Sequence, residues 1–209
     1  MSQNSNNPPV EATLVSRSLA ETHRLGALLG ELLVSGDVIL LQGALGAGKT
    51  AFTQGIARGL GVTSTVNSPT FTILKEYVGR LSLYHFDLYR IETPEEVSAL
   101  GFEDYFGGDG VSVVEWAERG EYADGAHGAA SPWPASWLHI RFSMPGAKGS
   151  GGRELRELHC SAHGARGMAL LAAFAQAALS VTPNQISSGA TPTPTSKRPQ
   201  KERAHAAGD

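Results

Sequence analysis

The chain has 209 residues, enough for one α/β domain with its own core. A net charge of −3 gives no strong field toward nucleic acid, so sequence-specific DNA binding is not expected and any RNA is expected to be held by a partner. A single cysteine excludes an intramolecular disulfide framework and disfavours a Cys-rich zinc site. The absence of any run of about 18 apolar residues argues against a spanning helix.

Residues 1–11, with Pro8 and Pro9, read as a loose polar tail without the charged and apolar regions of a secretion signal, so a cytoplasmic protein is expected. ATLVSR (12–17) fits a short strand. Ser18 and Glu21 form a capping box ahead of Leu25, Leu28, Leu29, Leu32 and Leu33, which recur at helical spacing, and Gly36 is read as the end of that helix. DVILLQG (37–43) is a continuous apolar run, suited to a strand covered on both faces. A helix is predicted from Lys49 to Leu60, stopped by Gly59 and Gly61. TFTILKEYV (70–78) and LSLYHFDLYR (81–90) read as strands joined at Gly79-Arg80, and Pro94 opens a further helix. VSVVEW (111–116), WLHIRF (137–142) and ELHC (157–160) read as strands, with 119–136 a Gly/Ala/Pro-rich loop and 146–152 a turn. MALLAAFAQAAL (168–179) is predicted helical. From Thr182 the chain has too few apolar groups to offset its entropy. The organisation is therefore a tail at 1–11, one domain at 12–181 and a Ser/Thr/Pro/Lys-rich tail at 182–209.

GALGAGKT (43–50) matches G-x-x-x-x-G-K-[ST], and it follows an apolar strand and opens a helix. Glycines let backbone amides turn toward phosphate oxygens, and the helix N-terminus adds positive partial charge. Lys49 is expected to reach the β and γ phosphates, and the Thr50 hydroxyl to ligate Mg²⁺. Such a cation needs acids from neighbouring strand ends. Glu115 ends VSVVEW. Asp87 takes the like position in YHFDLYR (84–90), where alternation sets His85, Asp87 and Tyr89 opposite Tyr84, Phe86 and Leu88. The bland alternatives for Asp87 are a salt bridge with Arg90 or a cap for the turn toward Pro94. His85 reads either as a residue that orients Asp87 or, blandly, as a satisfied core group. In NSPTF (67–71), the hydroxyls of Ser68 and Thr70 face either a γ-phosphate or merely a polar turn.

GALGAGKT, SPTF, YHFDLYR and VEWAERG, in that order and spacing, resemble the TsaE (YjeE) family across about residues 12–180. The resemblance implies an α/β fold: a single P-loop NTPase-like domain with a mixed parallel/antiparallel central sheet flanked by helices. It implies an ATPase of tRNA threonylcarbamoyladenosine biosynthesis that uses ATP and Mg²⁺ and acts with the TsaB–TsaD pair, driving or resetting it without making the group-transfer bond. Carried over, the nucleotide loop falls on Leu45, Gly46, Ala47, Gly48, Lys49 and Thr50, and the magnesium ligands on Thr50 and Glu115. Asp87 matches the family's site carboxylate and Thr70 its SPTF threonine. Thr22 matches a threonine near the nucleotide, and Arg153 falls near a position that approaches ATP. Trp116 follows the Glu as in the family, and either packs near the site or fills a strand. Two rival readings are a small-molecule kinase with Asp87 as base and a nucleotide-gated binding module without turnover.

Overall fold

The computed structural model describes residues 11–93, 96–97, 99–120, 132–145 and 155–181. Most of the helix predicted from Pro94, the middle of the 119–136 loop, the 146–152 turn, Arg153 and the tails at 1–10 and 182–209 lie outside the described residues.

A seven-stranded sheet runs in the order β1-β7-β6-β2-β5-β4-β3. Strand β1 (Glu11–Ser16) begins a residue before its predicted start, because Glu11 pairs with Ser161. Helix α1 (Leu19–Leu32) is capped by Ser18, whose hydroxyl accepts from the Glu21 amide at 3.1 Å. The Glu21 carboxylate accepts from the Arg17 amide at 2.7 Å, one residue beyond the expected reciprocal bond. The helix stops at Leu32 and not at Gly36, because Leu33 is already extended. Gly36 (φ +83) instead serves the turn into β2 (Val38–Gln42). The buried carboxylate of Asp37 fixes that turn, accepting from the Val34 amide at 2.9 Å and from Arg166 at 2.6 and 2.8 Å. The hydrogen bonds that Arg166 donates to Asp37 hold its guanidinium's pKa above the ordinary value.

Helix α2 (Lys49–Gly59) packs on α1 backbone to backbone. Gly26 and Gly30 of α1 face Gly55 and Gly59 of α2. A methyl group at Gly26 would strike the Phe52 carbonyl oxygen, and one at Gly55 the His23 carbonyl oxygen. That contact sets the height of α2, and of the loop at its N-terminus, over the sheet.

Strands β3 (Leu74–Val78) and β4 (Ser82–Asp87) form the expected hairpin, but both are shorter than predicted. Residues 70–73 leave the ladder because the Pro69 carbonyl accepts from the amides of Thr72 (2.9 Å) and Ile73 (2.7 Å), curling the segment into a turn. Strand β5 (Gly110–Glu115) is buried at every position. Strands β6 (Trp137–Ser143) and β7 (Arg156–His163) close the antiparallel side. The seventh runs past the predicted 157–160 because it pairs with both β6 and β1. Helix α3 (Gly164–Val181) starts before residue 168, since Gly164 (φ +70) reverses the chain directly out of β7.

Helices α1, α2 and α3 pack on one face of the sheet, where Leu29, Phe52, Ile56 and Phe174 meet Ile39, Leu41, Val113 and Ile140. On the other face Val38, Leu40 and Phe86 pack with Leu88, Ile91, Val97 and Phe102. Strand β2 is thus covered on both sides, as its unbroken apolar run requires. The mixed sheet agrees with the expected fold class.

Candidate functional site

Strands β2, β5 and β4 are mutually parallel and end at the same edge. The register sets Glu115 opposite both Leu41 of β2 and Asp87 of β4. Residues 43–48 leave β2 at that edge and lead straight into α2. In open α/β sheets this carboxyl edge is where ligands bind. A cleft of about 380 Å³ opens there, lined by residues 45–51 and by Ser68, Thr70, Asp87, Tyr89, Glu115 and Trp116.

Gly48, the cap of α2, has φ +109, a backbone region that residues with a side chain rarely adopt. It offers no side-chain acceptor to the first amides of α2, so those amides and the helix dipole direct positive potential into the cleft. Ala47 is buried beneath the loop, and Leu45 stands 76% exposed at its tip.

The Lys49 ammonium donates to the carbonyls of Gly43 (2.5 Å) and Ala44 (3.1 Å) and lies 3.6 Å from the Trp116 ring centroid. Burial lowers its pKa, opposed by the charges of Glu115, Glu118 and Asp87. Trp116 reaches this place because it follows β5 with φ +62, and its outer side meets the Tyr89 ring at 4.9 Å. It is therefore a site-flanking residue and not a strand filler.

Glu115 is 2% exposed and fully engaged. Its Oε2 accepts from the Thr50 hydroxyl at 2.9 Å. Its Oε1 faces His85 Nε2 at 2.8 Å and the Thr53 hydroxyl at 3.3 Å. His85 thus meets Glu115, not Asp87. Asp87, equally buried, accepts through Oδ2 from Ser68 (2.5 Å) and Thr70 (2.6 Å), and through Oδ1 from the Tyr89 amide at 3.0 Å. It therefore caps the turn beyond β4 and also ties down residues 67–73. Arg90, the alternative partner for Asp87, lies over the Phe71 ring at 5.3 Å instead.

The structure thus brings Lys49, Thr50, Thr70, Asp87 and Glu115 to one cleft. Thr22 sits behind the loop: its hydroxyl is spent on Ser16 (2.8 Å) and the Ser18 carbonyl (3.2 Å), and its methyl lies 3.7 Å from where a Gly48 Cβ would stand. Arg153 lies outside the described residues, whereas Arg156, the first residue of β7, has its Nε 3.1 Å from that same Gly48 position. Arg156 and Thr53 were missing from the site set read from sequence, and Ser68, read there beside Thr70 in the 67–71 turn, is bonded to Asp87. A strand begun one residue earlier than ELHC would have put Arg156 at the loop. Thr53, four residues after Lys49, shares its helix face.

The oxygen donors of Thr50 and Glu115 suit a hard cation. Among the described residues no three His, Cys, Asp or Glu side chains converge as a metal cage, so a cation here would complete its shell with phosphate and water, as Mg²⁺ does. A second depression, over β1, β6 and β7, is polar but already satisfied in part, since His159 bonds Thr13 (3.2 Å) and Ser143 (3.1 Å). There His139 is pushed down to about 4 by burial and by the charge of Arg141.

Fold and site together define a P-loop NTPase-like α/β protein. The family model described as threonylcarbamoyl adenosine biosynthesis protein TsaE matches residues 16–144, more than half of the chain. Three curated relatives named tRNA threonylcarbamoyladenosine biosynthesis protein TsaE are similar to it. The Treponema pallidum protein is 50% identical over 105 residues, covering 50% of this chain and 78% of its own. The Nostoc protein is 42% identical over 145 residues, covering 67% and 82%. The Bacillus subtilis protein is 55% identical over 98 residues, covering 46% and 61%. Among solved structures, the crystal structure of Bacillus subtilis YdiB superposes with a TM-score of 0.64 at 34% identity, over 82% of this chain and 98% of that one. The chain belongs to the TsaE family of tRNA threonylcarbamoyladenosine biosynthesis proteins. Among its described residues no helix is long and apolar enough to cross a membrane.

Proposed function

We propose that this protein is a Mg²⁺-dependent ATPase that acts with the TsaB–TsaD complex in the cytoplasm, coupling nucleotide turnover to the working cycle of that complex, with tRNA held by the partners. The observation that carries this reading is the meeting of Thr50 with Glu115 at 2.9 Å, beside the Lys49 ammonium and opposite Asp87. A motif threonine at the start of a helix and an acid from a parallel strand end, 65 residues apart in sequence, are the pair that would hold Mg²⁺ on a nucleotide triphosphate.

In this reading the loop amides and Lys49 hold the phosphates, with Lys49 exchanging a carbonyl of its own loop for phosphate oxygens. Thr50 and Glu115 hold the cation, whose charge offsets that developing on the transferred phosphoryl group. Arg156, beside Gly48, adds positive charge at the loop. Asp87 and Thr70 would position the γ-phosphate and the attacking water. Phosphoryl transfer asks mainly for positioning and neutralisation, so this sparse set suffices for slow turnover. Loss of the γ-phosphate then releases the 67–73 segment and changes affinity for the partners.

Phosphate release measured with Mg²⁺ and ATP, alone and with purified TsaB–TsaD, tests the proposal. Slow release that accelerates with the pair and stops in EDTA is expected. Nucleotide binding without release in either condition would leave a gated binding module and refute the ATPase.

A further inference from the structure

His85 is fully buried in β4, with its backbone held between Lys75 of β3 and Val113 of β5, so its ring has a fixed origin. Nε2 lies 2.8 Å from Glu115 Oε1, and Nδ1 has no hydrogen-bonding partner among the described residues. An ionised carboxylate only accepts, so Nε2 carries the proton of this bond and a neutral ring leaves Nδ1 bare. The competing donors on Glu115 are less committed. The Thr53 hydroxyl has one proton and a nearer acceptor in the Lys49 carbonyl, at 3.1 Å against 3.3 Å for Glu115. The Thr50 hydroxyl, at 2.9 Å from Oε2, belongs to the side of the carboxylate that faces the cleft. His85 is thus the donor that fixes which way the carboxylate turns.

We propose that His85 is a positioning residue for the metal: it clamps Glu115 Oε1 so that Oε2 is presented, beside Thr50, to the Mg²⁺ of a bound nucleotide. This rests on the nucleotide reading above. The bond persists when the cation arrives, because Oε1 and the ring lie behind the cleft while the Thr50 hydroxyl changes from donor to ligand. A carboxylate without that clamp would have to be ordered by the cation itself, which weakens metal binding more than nucleotide binding.

The experiment compares wild type, His85→Leu and His85→Gln, using mant-ATP fluorescence first in EDTA and then titrated with Mg²⁺. Leu fills much of the ring's volume without a donor, and the Gln side-chain amide carries its nitrogen as many bonds from Cα as Nε2. For H85L the mant-ATP affinity in EDTA stays within about twofold of wild type, while the Mg²⁺ midpoint rises on the order of tenfold. H85Q recovers most of that rise. An H85L midpoint equal to wild type overturns the proposal. So does an equal shift in both variants, or an EDTA affinity that falls in step, since those outcomes mark a packing role. Wild type that binds no mant-ATP at all would instead remove the nucleotide reading on which the proposal stands. Should H85L fail to fold, the ¹⁵N shifts of the His85 ring in the wild-type protein decide: a protonated Nε2 with a bare Nδ1 is expected, and the opposite tautomer refutes the clamp.

Discussion

Glu115 and Asp87 stand opposite each other on neighbouring parallel strands, but different kinds of structure hold them. Every side chain that bonds Glu115 comes from a regular element: Thr50 and Thr53 from α2, and His85 from β4. Asp87 is bonded by Ser68, Thr70 and the Tyr89 amide, all outside helices and strands. The segment around Ser68 and Thr70 leaves Phe71 87% exposed and ends at Ile73 with φ +66, a strained region for a β-branched residue. One half of the cleft is therefore built into the core. The other half rests on a loop that two hydroxyls pin to a carboxylate. Strain and exposure of this kind belong to segments that exchange conformations at low cost. On the proposed function, the fixed half holds phosphate and metal, and the pinned half responds to the γ-phosphate.

Substitutions test this division, the largest effect coming from the fixed half. Lys49→Ala lowers phosphate release by roughly 10²-fold or more, since on the proposed function it removes the ammonium that holds the phosphates. Unchanged turnover would remove the loop's assigned role. Glu115→Ala lowers release by about 10²-fold but keeps mant-ATP binding in EDTA within a few-fold of wild type, because the loop amides remain. Equal losses in the two assays would mean that Glu115 supports the fold and not the cation. In the pinned half the effects are smaller. Thr70→Val deletes one of the two hydroxyl bonds to Asp87 Oδ2 and cuts release roughly tenfold, with faster protease cleavage near residues 67–73. A wild-type cleavage rate would show that the hydroxyl does not pin the loop. Gly55→Ala changes turnover least and stability most. Its Cβ meets the His23 carbonyl, so denaturant midpoints report a loss of about 1–3 kcal/mol. A variant as stable as wild type would deny that the α1–α2 contact sets the height of the loop.

The legible parts of this molecule were those where one local rule decides. The apolar run at 37–43, the glycine loop and the acid at the end of VSVVEW each carry their own signal. Together they gave the sheet edge and the gathering of Lys49, Thr50, Asp87 and Glu115. The illegible parts depend on a distant partner. TFTIL has strand propensity, yet the Pro69 carbonyl captures two of its amides. The function of Gly26 and Gly30 shows only when Gly55 and Gly59 are laid against them. His85 was read from sequence as a core group or as an orienter of Asp87, and the pairing of β4 with β5 sends it instead to Glu115. Arg156 went unread because the start of β7 is set by pairing with β1 and β6, not by its own composition.

The proposed function turns on where a nucleotide and its cation sit. A crystal structure grown with Mg²⁺ and a non-hydrolysable ATP analogue is predicted to show the phosphates on the amides of residues 45–50, with the cation touching both the Thr50 hydroxyl and Glu115. A cation reached by neither side chain, or a triphosphate bound away from the loop, would contradict it.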